Sequence, residues 1–281
     1  MTAATTEQRA ALTASHDEST ILSEYVAHAP LALAAERSVE CRLYLRRPLA
    51  RPVLDIGCGD GLFASILFDA PVDTGVDPDP RELESACRRG AYRELIQCFG
   101  DAIPKPDGSY KTIFSNSVLE HIPSLEPVLA EIYRLLAPDG HCYLTVPTDR
   151  FERYTFINIT LETLRLRGLA ARYRAFFNGF WRHYHCYTPD KWGALVREKG
   201  FHVIELRTYG PKHMCVIDDL MAPLGFGSFV TKKLFNRWTL FAPLRCILLF
   251  PAYVILRRIH RGAEWAEAGG LLFLALTKRV P

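Results

Sequence analysis

Residues 53–61 read Val-Leu-Asp-Ile-Gly-Cys-Gly-Asp-Gly, and no other stretch constrains this chain as much. The first four residues have the makings of a short buried strand. Three alternating glycines then impose a tight turn whose backbone amides lie open to a ligand. A second strand candidate, Thr74-Gly75-Val76, ends on Asp77 and Pro78, sixteen residues beyond Gly61. A carboxylate there can accept both hydroxyls of a ribose, so the turn and the acid together point to a nucleoside-containing cofactor. The glycines fall as Gly57-x-Gly59-x-Gly61, which departs from the G-x-G-x-x-G spacing of dinucleotide folds. Asp55, just before them, would also repel a pyrophosphate.

From Arg51 onward, strands and helices alternate, the pattern of an α/β sheet with helices on both faces. Strands are expected at 52–56, 73–76, 93–97, 110–115, 141–146, 202–209 and 271–277. Helices are expected at 62–68, 80–89 and 124–136, and from Thr188 or Pro189 to Gly200. The division that follows has a helical cap at 1–50, a cofactor-binding core at 51–147 and an aromatic lid insert at 148–187. The core continues at 188–209, a hydrophobic insert occupies 210–269, and the final strand of the core lies in 270–281. Within the cap, 1–20 reads as a polar arm, and 21–47 as helix broken at Pro30.

The polar stretch 2–20 lacks the apolar centre of a signal peptide, and the eight cysteines contain no CxxC. Reduced thiols in the cytoplasm are therefore expected. A formal charge of +3 is too small a bias to imply nucleic acid. Residues 238–256 carry one charge, Arg245, and Arg257, Arg258 and Arg261 follow. Pro243 and Pro251 interrupt the run, and strands expected on both sides keep its ends on one face, which disfavours a single membrane span. Three readings stay open. The run lies on the inner face of a membrane, where basic residues meet anionic headgroups; it is a buried lid; or it is a homodimer contact.

The motifs at 53–61, 75–78, 100–102, 115–121 and 135–140, in that order, resemble the class I S-adenosylmethionine-dependent methyltransferases, notably the ubiquinone/menaquinone-biosynthesis-type small-molecule enzymes. The resemblance is firm over about 50–147 and looser over 188–209 and 270–278, and the inserts match nothing recognisable. It implies a Rossmann-like seven-stranded sheet with S-adenosyl-L-methionine as cofactor. It further implies that Asp55 lies near the methionine ammonium, that Gly57, Gly59 and Gly61 let the backbone approach, and that Asp77 accepts from the ribose. Pro78 would line the adenine, Asp101 would accept from its exocyclic amine, and the Ala102 amide would meet the ring. Ser115 and Asn116 would flank the methionine moiety. The purely structural alternative has Asp55 capping a turn and Ser115 and Asn116 ending a strand.

The cofactor's methyl group is already activated, so the protein mainly positions an acceptor and excludes water. A hydroxyl acceptor needs a base, and imidazole suits that near neutrality. His121, His183 and His185 are the catalytic candidates. Asp149, Arg150, Trp181, Tyr187, Tyr209 and His213 are candidates for acceptor binding, because they follow strands five and six or close the first insert. Those places lie at the carboxyl end of the sheet, where α/β folds bind ligands. For each of them, packing is the alternative. No metal site is expected, since His183, His185 and Cys186 lack a fourth ligand nearby.

The expected function is methyl transfer to a lipophilic small molecule, to oxygen in preference to carbon. Ser115-Asn116-Ser117-Val118 stands where some N-methyltransferases have N/D-P-P-Y/F, which argues against DNA adenine or protein glutamine as acceptor. Two alternatives remain. One is a cofactor-binding protein that docks a partner or a membrane without transfer. The other is an RNA methyltransferase using Arg165, Arg167, Arg172, Arg174 and Arg182, although apolar residues interleave with these arginines.

Overall fold

The computed structural model describes residues 12, 18–45, 47, 49–239, 241–259 and 261–278. Most of the expected polar arm at 1–20 lies outside these residues. Seven strands form one sheet in the order β3-β2-β1-β4-β5-β7-β6. They are β1 (Val53–Ile56), β2 (Val72–Asp77), β3 (Tyr92–Gln97), β4 (Tyr110–Asn116), β5 (Leu136–Pro147), β6 (Phe201–Tyr209) and β7 (Leu271–Lys278). Strands β1 to β5 pair in parallel, and β7 runs antiparallel to both β5 and β6. The reversal has a local cause. Residues 210–269 leave and re-enter at the same end of the sheet, pinned where Gly210 N donates to Ala263 O (3.1 Å) and Gly270 N to Gly210 O (2.9 Å). The next strand can only run back.

Among the described residues the helices are α1 (Glu18–His28), α2 (Leu31–Tyr44), α3 (Leu62–Leu67), α4 (Pro80–Arg89), α5 (Leu125–Leu135), α6 (Phe156–Thr163), α7 (Arg167–Trp181), α8 (Pro189–Glu198), α9 (Lys212–Met221), α10 (Phe226–Phe235), α11 (Ala242–Leu248) and α12 (Phe250–Ile259). Helix α4 shows how local chemistry sets bounds. The Asp79 carboxylate accepts from Arg81 N (2.8 Å), Pro80 fills the first turn, and Gly90 leaves in the left-handed region at φ +66°. Helix α8 starts the same way, with Thr188 as cap and Pro189 behind it.

Side chains alternate across the strands, so the sheet carries an apolar layer on each face. On one face Tyr44 of α2 makes edge contacts with Phe114, Tyr143 and Phe273 at 5.8, 6.0 and 5.9 Å. On the other, α5 and α8 cover Leu54, Ile113 and Leu274, and Trp192 Nε1 donates to Pro147 O (3.0 Å).

The apolar run at 238–259 is not one helix. It breaks at Leu249 into α11 and α12, and both pack against α1. The longest apolar helical stretch lies earlier, where α9, a 3₁₀ turn (Ala222–Gly225) and α10 continue as Lys212–Phe235. Its most apolar window has a mean hydropathy of 1.3, and it is the one described helix long and apolar enough to cross a membrane. Its first half belongs to the fold, however, since Met214 and Cys215 are buried and α9 packs on α2.

One packing detail shapes the site. Asp55 in β1 sits beside Gly75 in β2, and the Tyr92 ring of β3 crosses over Gly75 to donate its hydroxyl to Asp55 Oδ2 (2.6 Å). A Cβ on Gly75 would lie 2.7 Å from Tyr92 Cδ1, so glycine is what lets the ring pass. Gly75→Ala is expected to cost about 1–3 kcal/mol through overpacking. Tyr92→Leu in the same background should give a sub-additive sum, read from urea midpoints at unchanged m.

Candidate active site

The glycine turn sits at the carboxyl ends of β1 and β2. Gly57, Gly59 and Gly61 have φ of +76°, +51° and +74°, a region that L side chains avoid. Gly57 N and Cys58 N both donate to Val76 O (2.9 and 3.0 Å), which ties the turn to β2. Nothing lies within 4 Å of where a Gly59 Cβ would stand, so the turn faces open space. Asp77 Oδ2 accepts from Gly59 N (3.0 Å) and Oδ1 from Asp79 N (2.9 Å). Burial nonetheless holds this carboxyl above its ordinary value. Pro78, Asp101 and Ala102 are exposed along the same edge. Ser115 Oγ donates to Ile56 O (2.9 Å), binding the end of β4 to β1.

A glycine turn with no side chain over it, a half-buried acid and an exposed acid along one groove fit a cofactor carrying a ribose and an adenine. Asp55 is placed deeper. It is almost fully buried under Tyr92, and burial pushes its carboxyl up to about 7 against the pull of the Tyr92 hydroxyl. Asn116 also turns away from the groove: its Nδ2 donates to Glu40 Oε2 (2.5 Å), and its Oδ1 accepts from Thr145 Oγ1 (2.9 Å).

Glu40 was not among the residues singled out from the sequence. It is completely buried on α2. Its Oε1 accepts from Ser117 Oγ and from the Tyr209 hydroxyl, both at 2.8 Å, and its Oε2 from Asn116 Nδ2 and Arg37 Nη1, both at 2.5 Å. One carboxylate thus joins the cap helix to the ends of β4 and β6. Burial works against the Arg37 charge, but Glu40 and Glu36 outweigh it and hold Arg37 firmly protonated. The signal in the sequence was Glu36, Arg37 and Glu40 on one side of an otherwise apolar helix.

Beyond the strand ends lies a cavity of about 270 Å³. Phe151, Phe177, Trp181, Phe229 and Trp238 give it an aromatic wall. Glu36, Arg37, Glu120, His121, His183, Asp218 and Asp219 supply polar groups. His121 and His183 face each other with ring centroids 5.1 Å apart. Burial, with His121 adding, lowers His183 to about 4, so its ring is neutral. Burial lowers His121 as well and raises Glu120 to about 8. Glu120 Oε2 and His183 Nδ1 are buried without a hydrogen-bond partner. Such atoms are costly unless a ligand or water completes them.

The other acceptor-side candidates lie elsewhere. His185 is closed off, with Nδ1 2.8 Å from the Tyr187 hydroxyl and Nε2 2.8 Å from Ile122 O. Tyr187 packs on Trp192 beneath Lys191, and Asp149 N donates to Tyr187 O, so both stand at the neck of the first insert. Arg150 N donates to Thr148 Oγ1 at that same neck. Tyr209 is buried on Glu40, and His213 is exposed on α9. Of the nine histidines and acceptor residues named beforehand, the cavity gathers His121, His183 and Trp181. Among the described residues no cluster of three or more histidine, cysteine or acidic side chains could hold a metal ion.

Residues 25–206 match a family model described as Methyltransferase domain. An uncharacterized methyltransferase of Mycobacterium sp. (strain JLS) is 33% identical over 99 residues, which make up 35% of this chain and 39% of the relative. The match thus spans about two-fifths of that relative's length. In solved structures, the cyclase SpnF aligns with a TM-score of 0.54 and 13% identity over 97% of this chain and 88% of its own. A possible histamine N-methyltransferase from Thermotoga maritima aligns at 0.52 and 17% identity, over 91% and 92%. At these identities the likeness is one of fold.

Two consequences can be measured. Removing Glu40 leaves Asn116 Nδ2, Ser117 Oγ and the Tyr209 hydroxyl without their acceptor and Arg37 with Glu36 alone, so Glu40→Ala should cost about 3–5 kcal/mol in denaturant unfolding, and Glu40→Gln less. Asp55 binds its proton more tightly folded than unfolded, so its contribution to stability is complete below about pH 4 and is lost as pH rises through about 7. Asp55→Asn should therefore flatten the fall in stability between pH 5 and pH 8 relative to the parent, by thermal unfolding across that range.

Proposed function

This chain belongs to the methyltransferase-domain family, and from that premise we propose that it moves the methyl group of S-adenosylmethionine to a lipophilic small molecule, onto oxygen in preference to carbon. The cofactor, when bound, supplies a methyl carbon activated by its sulfonium. Asp77 would accept from the ribose hydroxyls, the bare backbone of the glycine turn would let the methionine part approach, and Asp101 with the Ala102 amide would take the adenine. Asp55, beneath the turn, sets the polarity of the methionine end through the Tyr92 hydroxyl.

The observation that carries this reading is the cavity, whose aromatic wall surrounds a pair of facing imidazoles, His183 half-buried and neutral and His121 more open to solvent. Aromatic surface excludes water and takes an apolar acceptor. The unpartnered Nδ1 of His183 would accept the hydroxyl hydrogen of a bound acceptor and take that proton as the oxygen gains the methyl group, whose bond to the sulfonium sulfur breaks to leave a neutral thioether. His121, which packs against His183 with its Nδ1 3.3 Å from Arg182 O, keeps that ring in place. Arg37 and Glu40 hold α2 over the cavity and touch no reacting atom.

The test is incubation of the purified protein with deuterated-methyl S-adenosylmethionine and, separately, lipid and polar cell extracts, with products read by mass spectrometry. A labelled product in the lipid fraction is expected. A product confined to the polar fraction overturns the lipophilic acceptor, and none in either leaves cofactor binding without transfer. With the acceptor in hand, His183→Phe should lower kcat by about 10²–10⁴-fold while calorimetric cofactor affinity stays put. The acid limb of log kcat should bend near pH 4, as His183 protonates, and not near the ordinary histidine value of 6.5.

A further inference from the structure

Helices α7, α10, α11 and α12 turn a large apolar surface to solvent. Phe176 (67%), Phe226 (73%), Leu234 (66%), Phe241 (71%), Ile247 (73%) and Leu248 (68%) are each mostly exposed. Two observations show that these helices form one surface. Ring contacts run from Phe176 to Phe180 (6.1 Å), Trp181 (5.0 Å), Phe229 (6.1 Å) and Trp238 (5.4 Å), linking α7 to α10 and to the segment before α11. Arg245 of α11 donates to Ser228 Oγ of α10 (3.0 Å) and to the carbonyls of Val26 and Ala29 (2.8 and 2.7 Å), locking α11 against α10 and α1. Soluble monomers rarely expose an apolar patch of this extent without a use for it.

Charge says what covers it. Residues 210–261 carry eight lysines and arginines and two acids, Asp218 and Asp219, and both acids line the cavity. Lys232 is consumed by Glu82 and Asp60, and Arg245 by the contacts above. Lys233, Arg237, Arg257, Arg258 and Arg261 remain exposed on these helices and beside them. Apolar side chains bordered by basic ones complement an anionic lipid surface, with rings and aliphatic chains among the acyl groups and cations at the phosphates. The two ends of this segment are tied together at Gly210 and Gly270 at the same end of the sheet, so the chain leaves and returns on one side, as a surface that rests on a bilayer without crossing it requires.

We propose that α7 and α10–α12 form a docking face for an anionic membrane and that the catalytic cavity opens through it, so that the acceptor enters from the lipid side. Trp181, Phe229 and Trp238 carry the second half. They belong to the ring chain of the face, and they also form the wall of the cavity. An amphiphile can keep its tail in the bilayer while its head reaches Glu120 Oε2 and His183 Nδ1, two atoms of the cavity lining that are buried without partners. The docking stands by itself; only the role of the cavity rests on the methyl-transfer reading.

The test uses the full chain and vesicles of phosphatidylcholine, with or without phosphatidylglycerol. Flotation should show binding to the anionic vesicles and at least about tenfold less to the neutral ones, with loss in high salt. Phe226→Ser/Phe241→Ser/Ile247→Ser should cut anionic binding by about tenfold or more, with cofactor affinity by calorimetry unchanged, which shows the fold intact. Brominated lipids should quench the tryptophan emission, and Trp181→Phe/Trp238→Phe should remove that quenching. Equal flotation of parent and triple variant overturns the docking face. So does a dimer in solution that the triple variant dissolves, since a second copy then covers the surface. Quenching that survives loss of Trp181 and Trp238 overturns the lipid-side entry alone. Failure of cofactor to bind would sink the methyl-transfer reading and leave the vesicle result standing.

Discussion

The buried carboxylate of Glu40 is the contact on which the rest of the site depends. A charge with no solvent exposure is tolerable only when its lone pairs are filled, and four donors from α2, β4 and β6 fill them. Those donors sit where the chain leaves the sheet toward the cofactor turn and the second insert. The cap helix is therefore more than a cover on an apolar face. It brings Glu36 and Arg37 over the cavity and fixes the direction in which β4 delivers Ser117 and the segment that ends at His121. A hydrophobic contact could have supplied as much attraction, but not this register, because hydrogen bonds to one carboxylate accept few geometries.

The two inserts become one structure through their necks. Thr148 N and Oγ1 both bond Gly270 O, and Asp149 N bonds Tyr187 O, so the first insert closes against the second at the end of β5. Farther out, Phe156 N donates to Asp219 Oδ2 (2.8 Å), joining α6 to α9. The cavity lies between these joins. Its polar groups come from the cap, the end of β4 and both inserts, which explains why no short motif announces it. Its walls turn apolar toward solvent, and the same aromatic residues serve the inside and the outside of the molecule. On the proposed reading, the acceptor pocket and the docking face share one set of rings, so that where the rings sit would decide what can reach His183.

Much of this molecule could be read from the chain because local rules govern it. The strands showed as short apolar runs bounded by turn residues. Helices α4 and α8 carried their own caps in Asp79-Pro80 and Thr188-Pro189. The glycine turn could be read because three alternating glycines at positive φ, followed by an acid at the end of the next strand, leave a signature a few residues long. Trp181, His121 and His183 came from their places at the ends of strand four and of the first insert. His185, Tyr187 and Tyr209 had similar positions but were drawn into packing, since each found a partner close by: Ile122 O and the Tyr187 hydroxyl for His185, Trp192 for Tyr187, and Glu40 for Tyr209.

The amino-acid sequence by itself determined the alternation of strands and helices, the cofactor turn and the apolar character of the second insert, because each depends on residues near one another in the chain. Only the tertiary structure decided that β7 runs antiparallel, that Glu40 is the hub and not a surface charge, and that the apolar run at 238–259 folds back as two helices. It also decided that α7, from the first insert, shares a face with α10, from the second. These outcomes rest on contacts between residues tens to more than a hundred positions apart. Periodicity reports which side of an element is apolar, but not what meets it. Desolvation of a charge, and the pairing it then requires, arise only when distant segments close around it.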